Sequence, residues 1–140
     1  LTLRDWLIQQ EGCRLSVYTD IAGYATIGYG HRCSAGQPDI TQQQADAWLM
    51  EDINLVAHNV LALSPALQDK RLWAIIDLCF NAGVGAYAKS QLRQEINRAD
   101  WITAAANMRT WDHIHKDGHL IESDDLKRRR AQDASWLQNG

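Results

Sequence analysis

The stretch EGCRLSVYTDIAGYATIGYGH, residues 11–31, decides how the rest of the chain is read. It places a carboxyl at Glu11, a second at Asp20 and a hydroxyl at Thr26. Upstream, Leu3, Leu7 and Glu11 recur every fourth residue with Trp6 beside them, which predicts a helix carrying one apolar stripe. Glu11 ends that stripe and Gly12 is placed to stop the helix. A carboxyl beside apolar surface is poorly solvated as an anion, which suits it to proton donation, the general-acid role in glycoside hydrolysis.

Downstream, Leu15, Val17 and Thr19 alternate with Ser16 and Tyr18, and Tyr24 to Tyr29 alternates again, as two strands would. Ile21-Ala22-Gly23 suits a three-residue hairpin loop, with Gly23 free to take positive φ. That loop pairs Asp20 with Tyr24 and Tyr18 with Thr26. Asp20 and Thr26 then become diagonal neighbours on one face, roughly 7–8 Å apart at the backbone, with space for a water. A two-residue loop at Ala22-Gly23 would instead send them to opposite faces.

The pattern Glu11-x8-Asp20-x5-Thr26, followed by Thr26-Ile27-Gly28-Tyr29-Gly30-His31, resembles the phage-type lysozymes (endolysins) of glycoside hydrolase family 24. Phe80-Asn81-Ala82-Gly83-Val84-Gly85-Ala86-Tyr87, with Ser90 and Leu92-Arg93, forms a second matching block. Leu126-Lys127-Arg128-Arg129-Arg130 with Asp133 forms a third, Asp133 standing where the family has Glu. The resemblance implies an α+β, mostly α, lysozyme-like fold in a single domain spanning 1–140. A small β-hairpin lobe (about 12–60) and a larger helical lobe (1–11 plus 61–140) would be joined by a long helix.

It also implies a muramidase hydrolysing the β-1,4 bond between N-acetylmuramic acid and N-acetylglucosamine in bacterial peptidoglycan. Glu11 would protonate the glycosidic oxygen. Asp20 would stabilise the oxocarbenium-like transition state and help activate a water that Thr26 holds on the opposite sugar face, with inversion. Gly28 and Gly30 would let backbone come close to neighbouring groups, and His31 would hold supporting hydrogen bonds. By the same resemblance Phe80, Ser90 and Asn107 would line the substrate cleft, with Arg32 on the hairpin side; Tyr24, paired with Asp20, is a candidate to stack on a sugar ring. Taken singly, each has a plainer reading: Glu11 as a solvated helix end, Asp20 as a turn residue, Thr26 as a strand former. Phe80 would then be core, Ser90 a helix N-cap and Asn107 an exposed polar group. Two rival functions are a lysozyme-fold module that binds or scaffolds peptidoglycan with little turnover, and a lytic transglycosylase forming an anhydro sugar.

Composition agrees with a single globular domain. The chain has 140 residues, 46% hydrophobic and 22% charged, and contains no apolar run long enough to span a bilayer. It opens at Leu1 with no visible signal peptide, which leaves room for an upstream export or anchoring segment. The expected setting is synthesis in the bacterial host cytoplasm and action on the wall in the periplasm, as a monomer. The net charge of −3 predicts weak long-range attraction to an anionic wall, so binding must come from local contacts. Residues 1–60 carry three basic and seven acidic side chains, residues 61–140 eleven and ten.

The three cysteines, Cys13, Cys33 and Cys79, lack metal spacing and are read as reduced thiols, two of them buried. The six tryptophans sit mostly at core-phase helical positions and are read as buried. Lys127 to Arg130, offset by Asp124, Asp125 and Asp133, reads as a salt-bridge cluster, not a nucleic-acid patch. Asp112-His113-Ile114-His115-Lys116-Asp117-Gly118-His119 has ligand-like spacing, but in a Gly-containing loop it is not read as a metal site, and no cofactor is expected.

Four further helices are predicted after a long one that starts with Thr41 as N-cap and Gln44 reaching back and runs to about Leu61. These are a buried helix with Pro65 in its first turn, then Gly85 to about Ile96, Ala99 to about Arg109, and Ser123 to Leu137.

Overall fold

The computed structural model describes residues 1–116 and 119–140, apart from the side chains of 115 and 116. Helix α1 (Leu3–Glu11) opens the chain. Thr2 caps it, its hydroxyl accepting from the Asp5 N–H while the Asp5 carboxylate accepts from the Thr2 N–H. This reciprocal cap satisfies two donors that a helix start otherwise leaves open. Leu3 and Leu7 are buried, as the four-residue spacing requires.

Strands β1 (Arg14–Thr19), β2 (Ala25–Gly28) and β3 (His31–Arg32) form an antiparallel sheet in the order β1-β2-β3. Tyr18 pairs with Thr26 and Thr19 with Ala25, and the Asp20 N–H donates to the Tyr24 carbonyl at 2.9 Å. The three-residue loop is therefore the observed one, with Gly23 at φ 94°. Closer to Arg14 the register slips, as at a β-bulge.

Helix α2 (Gln42–Leu63) follows, its first turn closed by the Thr41 hydroxyl, which accepts from the Gln44 N–H. Pro65 is not in a helix. It lies in a turn closed by the Leu67 N–H on the Ser64 carbonyl, and α3 (Asp69–Ala82) starts only after Gln68. The single helix expected from Gly85 to Ile96 is two, α4 (Val84–Ala88) and α5 (Gln91–Asn97). Ser90 separates them because its hydroxyl prefers to cap the Arg93 N–H, a competition that favours serine at helix starts over helix interiors.

Helix α6 (Trp101–Met108) is capped by Asp100. A hairpin that the sequence did not suggest, β4 (His113–Lys116) with β5 (His119–Glu122), precedes α7 (Asp124–Asn139), which Ser123 caps.

The chain divides into two compact units, the first Leu1–Leu55 with His115–His119 and the second Val56–Ile114 with Leu120–Gly140. Helix α1, expected with the helical lobe, falls in the first unit, and the boundary lies within α2. Buried apolar residues of the first unit include Leu7, Ile27, Tyr29 and Leu49. In the second, α7 packs against α3 and α6 over Ile75, Leu78, Ala104, Met108 and Leu137. Each fully buried Leu or Ile there contributes roughly 1.5–3 kcal/mol. Trp136 is buried, edge-on to Trp73 at 5.7 Å, but the other tryptophans are only half-buried, contrary to the core reading. Of the cysteines, all free, only Cys79 is buried; Cys33 is half-buried and Cys13 exposed.

The basic run on α7 is a salt-bridge cluster. Lys127 pairs with Glu122 and Arg128 with Asp125 at the surface. Arg129 and Arg130 are buried. The Arg129 guanidinium grips Asp77 on α3 with bonds of 2.8–3.2 Å. Arg130 donates to Asn81 at 3.2 Å and lies 3.3 Å from Asp133.

Candidate active site

Glu11, Asp20 and Thr26 all belong to the first unit. Glu11 is the last residue of α1, half-buried, where Gly12 turns the chain out of the helix with its N–H on the Ile8 carbonyl. Its carboxyl rests on the backbone of Gly30. A Cβ added to Gly30 would lie 2.7 Å from Glu11 Oε2, and Gly30 has φ 70°. Glycine is required there on both counts, since a side chain would displace the carboxyl and the left-handed backbone would strain it. A Cβ at Gly28 would meet only ordinary contacts with Ala45 and Ile40, so the close approach expected of both glycines belongs to Gly30.

Asp20 sits at the end of β1, where its Oδ1 accepts from the Ala22 N–H at 3.0 Å and the Tyr24 N–H at 2.8 Å. The tight loop produces this geometry, because an Asp entering a turn folds its carboxylate over the following amides. Both bonds fall on Oδ1, and Oδ2 has no hydrogen-bond partner among the described residues. Thr26 is 2% exposed and donates its hydroxyl proton to the Tyr24 carbonyl at 2.8 Å. With that proton committed, the oxygen is left to accept.

His31 follows Gly30. Its Nδ1 lies 2.8 Å from Asp52 Oδ2 on α2 and its ring stacks on Trp48 at 4.6 Å. Arg32 lies over the Tyr24 ring at 3.7 Å, so these two candidate substrate contacts are placed against each other. Tyr18, which sequence reasoning did not single out, faces the same group of residues. Burial raises its phenol above the ordinary value, and the negative charges of Glu11 and Asp20 add to that, against the Arg14 guanidinium 4.5 Å above its ring. The signal was available, since Tyr18 is the cross-strand partner of Thr26.

The remaining candidates, Phe80, Ser90 and Asn107, belong to the second unit. Phe80 is half-buried near the end of α3. Ser90 is the N-cap of α5; its hydroxyl accepts from the Arg93 N–H and donates to the Tyr87 carbonyl at 2.7 Å. Asn107 is not an exposed polar group, for its amide donates to Oε1 of buried Glu95 at 2.9 Å. Glu95 carried no sequence signal, since a glutamate in a short helix reads as solvated.

The ligand-like run 112–119 lies partly outside the described residues, at 117, 118 and the side chains of 115 and 116. Within the described part, His113 Nδ1 lies 2.7 Å from Asp112 Oδ1. Among the described residues no group of three or more His, Cys, Asp or Glu is placed to hold a metal ion, and no helix is long and apolar enough to cross a membrane.

Comparison with known proteins identifies the family and the fold. The family model for phage lysozyme matches residues 8–133. An endolysin of Acyrthosiphon pisum secondary endosymbiont phage 1 is 36% identical over 127 residues, covering 89% of this chain and 87% of that protein. The endolysin of Salmonella phage P22 is 30% identical over 138 residues, covering 94% and 92%. Among solved structures, the muramidase domain of SpmX from Asticaccaulis excentricus superposes with a TM-score of 0.83 at 28% identity, covering 96% of this chain and 93% of that one. The mostly helical α+β fold is thus lysozyme-like, and the chain belongs to the phage lysozyme family, glycoside hydrolases of the endolysin kind.

Proposed function

We propose that this chain is a muramidase that cleaves the β-1,4 bond between N-acetylmuramic acid and N-acetylglucosamine in bacterial peptidoglycan, with water as acceptor and inversion at the anomeric carbon. Glu11 donates the proton to the leaving oxygen. Asp20 acts as the carboxylate, with Oδ1 fixed by two backbone amides and Oδ2 turned to the water and to the developing positive charge. Thr26 accepts a hydrogen bond from that water, its own proton being held by the Tyr24 carbonyl, and Asp20 takes up the proton that the water loses as it attacks. The observation that carries this reading is the hairpin loop. One turn both locks Asp20 and brings Thr26 onto its face with its lone pairs free. Tyr24, paired with Arg32, offers an aromatic surface to a sugar ring, and Phe80, Ser90 and Asn107 are further substrate contacts. His31, tied to Asp52, supports the Glu11–Gly30 contact. We place synthesis in the host cytoplasm and action on the wall beyond the inner membrane, as a monomer.

The test is glycan release from purified peptidoglycan. Glu11→Gln, with an unchanged circular-dichroism spectrum, is expected to lower kcat by roughly 10²–10⁴-fold, the usual contribution of general acid catalysis. Activity equal to wild type in that folded variant overturns the assignment. Early products with the β configuration would exclude inversion, and anhydro ends in place of reducing ends would exclude water as acceptor.

A further inference from the structure

The second unit holds an open cavity of about 340 Å³ where α4 meets α5, lined by Lys89, Ser90, Arg93, Gln94, Asn97 and Arg98. Among the described residues three cationic side chains border it and no acidic one does. Among the described residues none of the three forms an ion pair, although Arg93 is steadied by donating to the Ala88 carbonyl at 3.1 Å. The acidic residues nearest in sequence are engaged elsewhere, Glu95 with the Asn107 amide and Asp100 with the Thr103 N–H. What sets the group apart is that three cations share one cavity, in a chain whose net charge is −3 and whose basic run on α7 is paired with carboxylates.

We propose that this cavity is a binding site for a phosphate group. Two guanidinium forks and an ammonium offer more donors and more positive charge than a single carboxylate could use. A phosphate, carrying one charge as a diester and close to two as the free anion, with several strongly accepting oxygens, matches them. The amide of Gln94 adds a neutral donor at the rim. None of its cations belongs to the Glu11–Asp20–Thr26 group, although Ser90, proposed above as a substrate contact, lies on its wall. It supplies the local attraction to a phosphate-bearing surface that the acidic chain as a whole lacks.

The test is an NMR titration with inorganic phosphate against chloride at constant ionic strength. Saturable shifts confined to the amides of residues 88–98 are expected, with affinity weakened roughly tenfold or more in the Lys89→Gln/Arg98→Gln double variant. Arg98 and Lys89 are exposed, so the fold and glycan release should be unchanged. Shifts that do not saturate, or that persist in the variant, overturn the proposal. Once binding is seen, three probes identify its source: a poly(glycerol phosphate) chain, vesicles containing phosphatidylglycerol, and phosphatidylcholine vesicles as control. Preference for the polymer or for the anionic vesicles names the surface. Binding of inorganic phosphate alone assigns the site to the free anion.

Discussion

On α7, Arg129 and Arg130 are buried, and each is matched by a group placed to receive it: Asp77 for Arg129, Asn81 and Asp133 for Arg130. Around α5, Lys89, Arg93 and Arg98 are cations without carboxylate partners among the described residues, at an open cavity. The difference is one of solvent. A charge removed from water must be paired or it unfolds the region around it, whereas a charge in water can wait for a ligand at little cost. The first cluster ties α3 to α7, and the second has no such structural duty.

The largest expected effect tests the buried side of that contrast. Arg129→Ala leaves the fully buried Asp77 without its guanidinium partner, and should lower unfolding free energy by about 3–5 kcal/mol in urea titrations. A loss under about 1 kcal/mol would mean that α3 and α7 do not depend on the pair.

The pH dependence is more discriminating. Burial opposes the charged form of Asp77, but the charge and hydrogen bonds of Arg129, with Asp133 and Arg130 adding to them, outweigh it and hold the carboxyl below its ordinary value. Its contribution is therefore present above the ordinary carboxylate range and is lost as pH falls through the lowered value. Asp133 behaves oppositely. Burial and the adjacent negative charge of Asp77 push it well above the ordinary value, against the opposing pull of Arg130. Its contribution is present below that range and is lost as pH rises through the raised value. Asp133→Asn should flatten the alkaline side of this profile, and Asp77→Asn the acid side. Identical profiles in wild type and Asp133→Asn would show that Asp133 ionises as freely as in the unfolded chain.

The smallest effect belongs to the open cluster. Lys89→Gln and Arg98→Gln, singly, should change stability by no more than about 0.5 kcal/mol, as surface substitutions do. A loss near that of Arg129→Ala would erase the distinction between the two groups of cations.

Much of the candidate site was legible because its parts are close in sequence. The hairpin register follows from alternation and from Gly23, so Asp20, Tyr24 and Thr26 could be placed on one hairpin without coordinates. Ser90 shows the opposite case. Its capping role was visible as one reading, but the break it makes between α4 and α5 depends on a local competition that hydrophobic spacing does not register. The β4–β5 hairpin was missed because a His- and Asp-rich run with a glycine looks like a solvated loop, whichever way its backbone pairs.

The sequence by itself determined the elements that local physics controls: the Glu11 helix end, the turn that locks Asp20, the long helix α2 and the caps at Thr41 and Ser123. Tertiary structure alone decided which charges leave water, that Glu11 lies on the backbone of Gly30, and that Asn107 is held by a buried Glu95. Periodicity marks which face of a segment is apolar. It does not say which distant residue will arrive against that face, and burial, pairing and pKa are all set by that arrival.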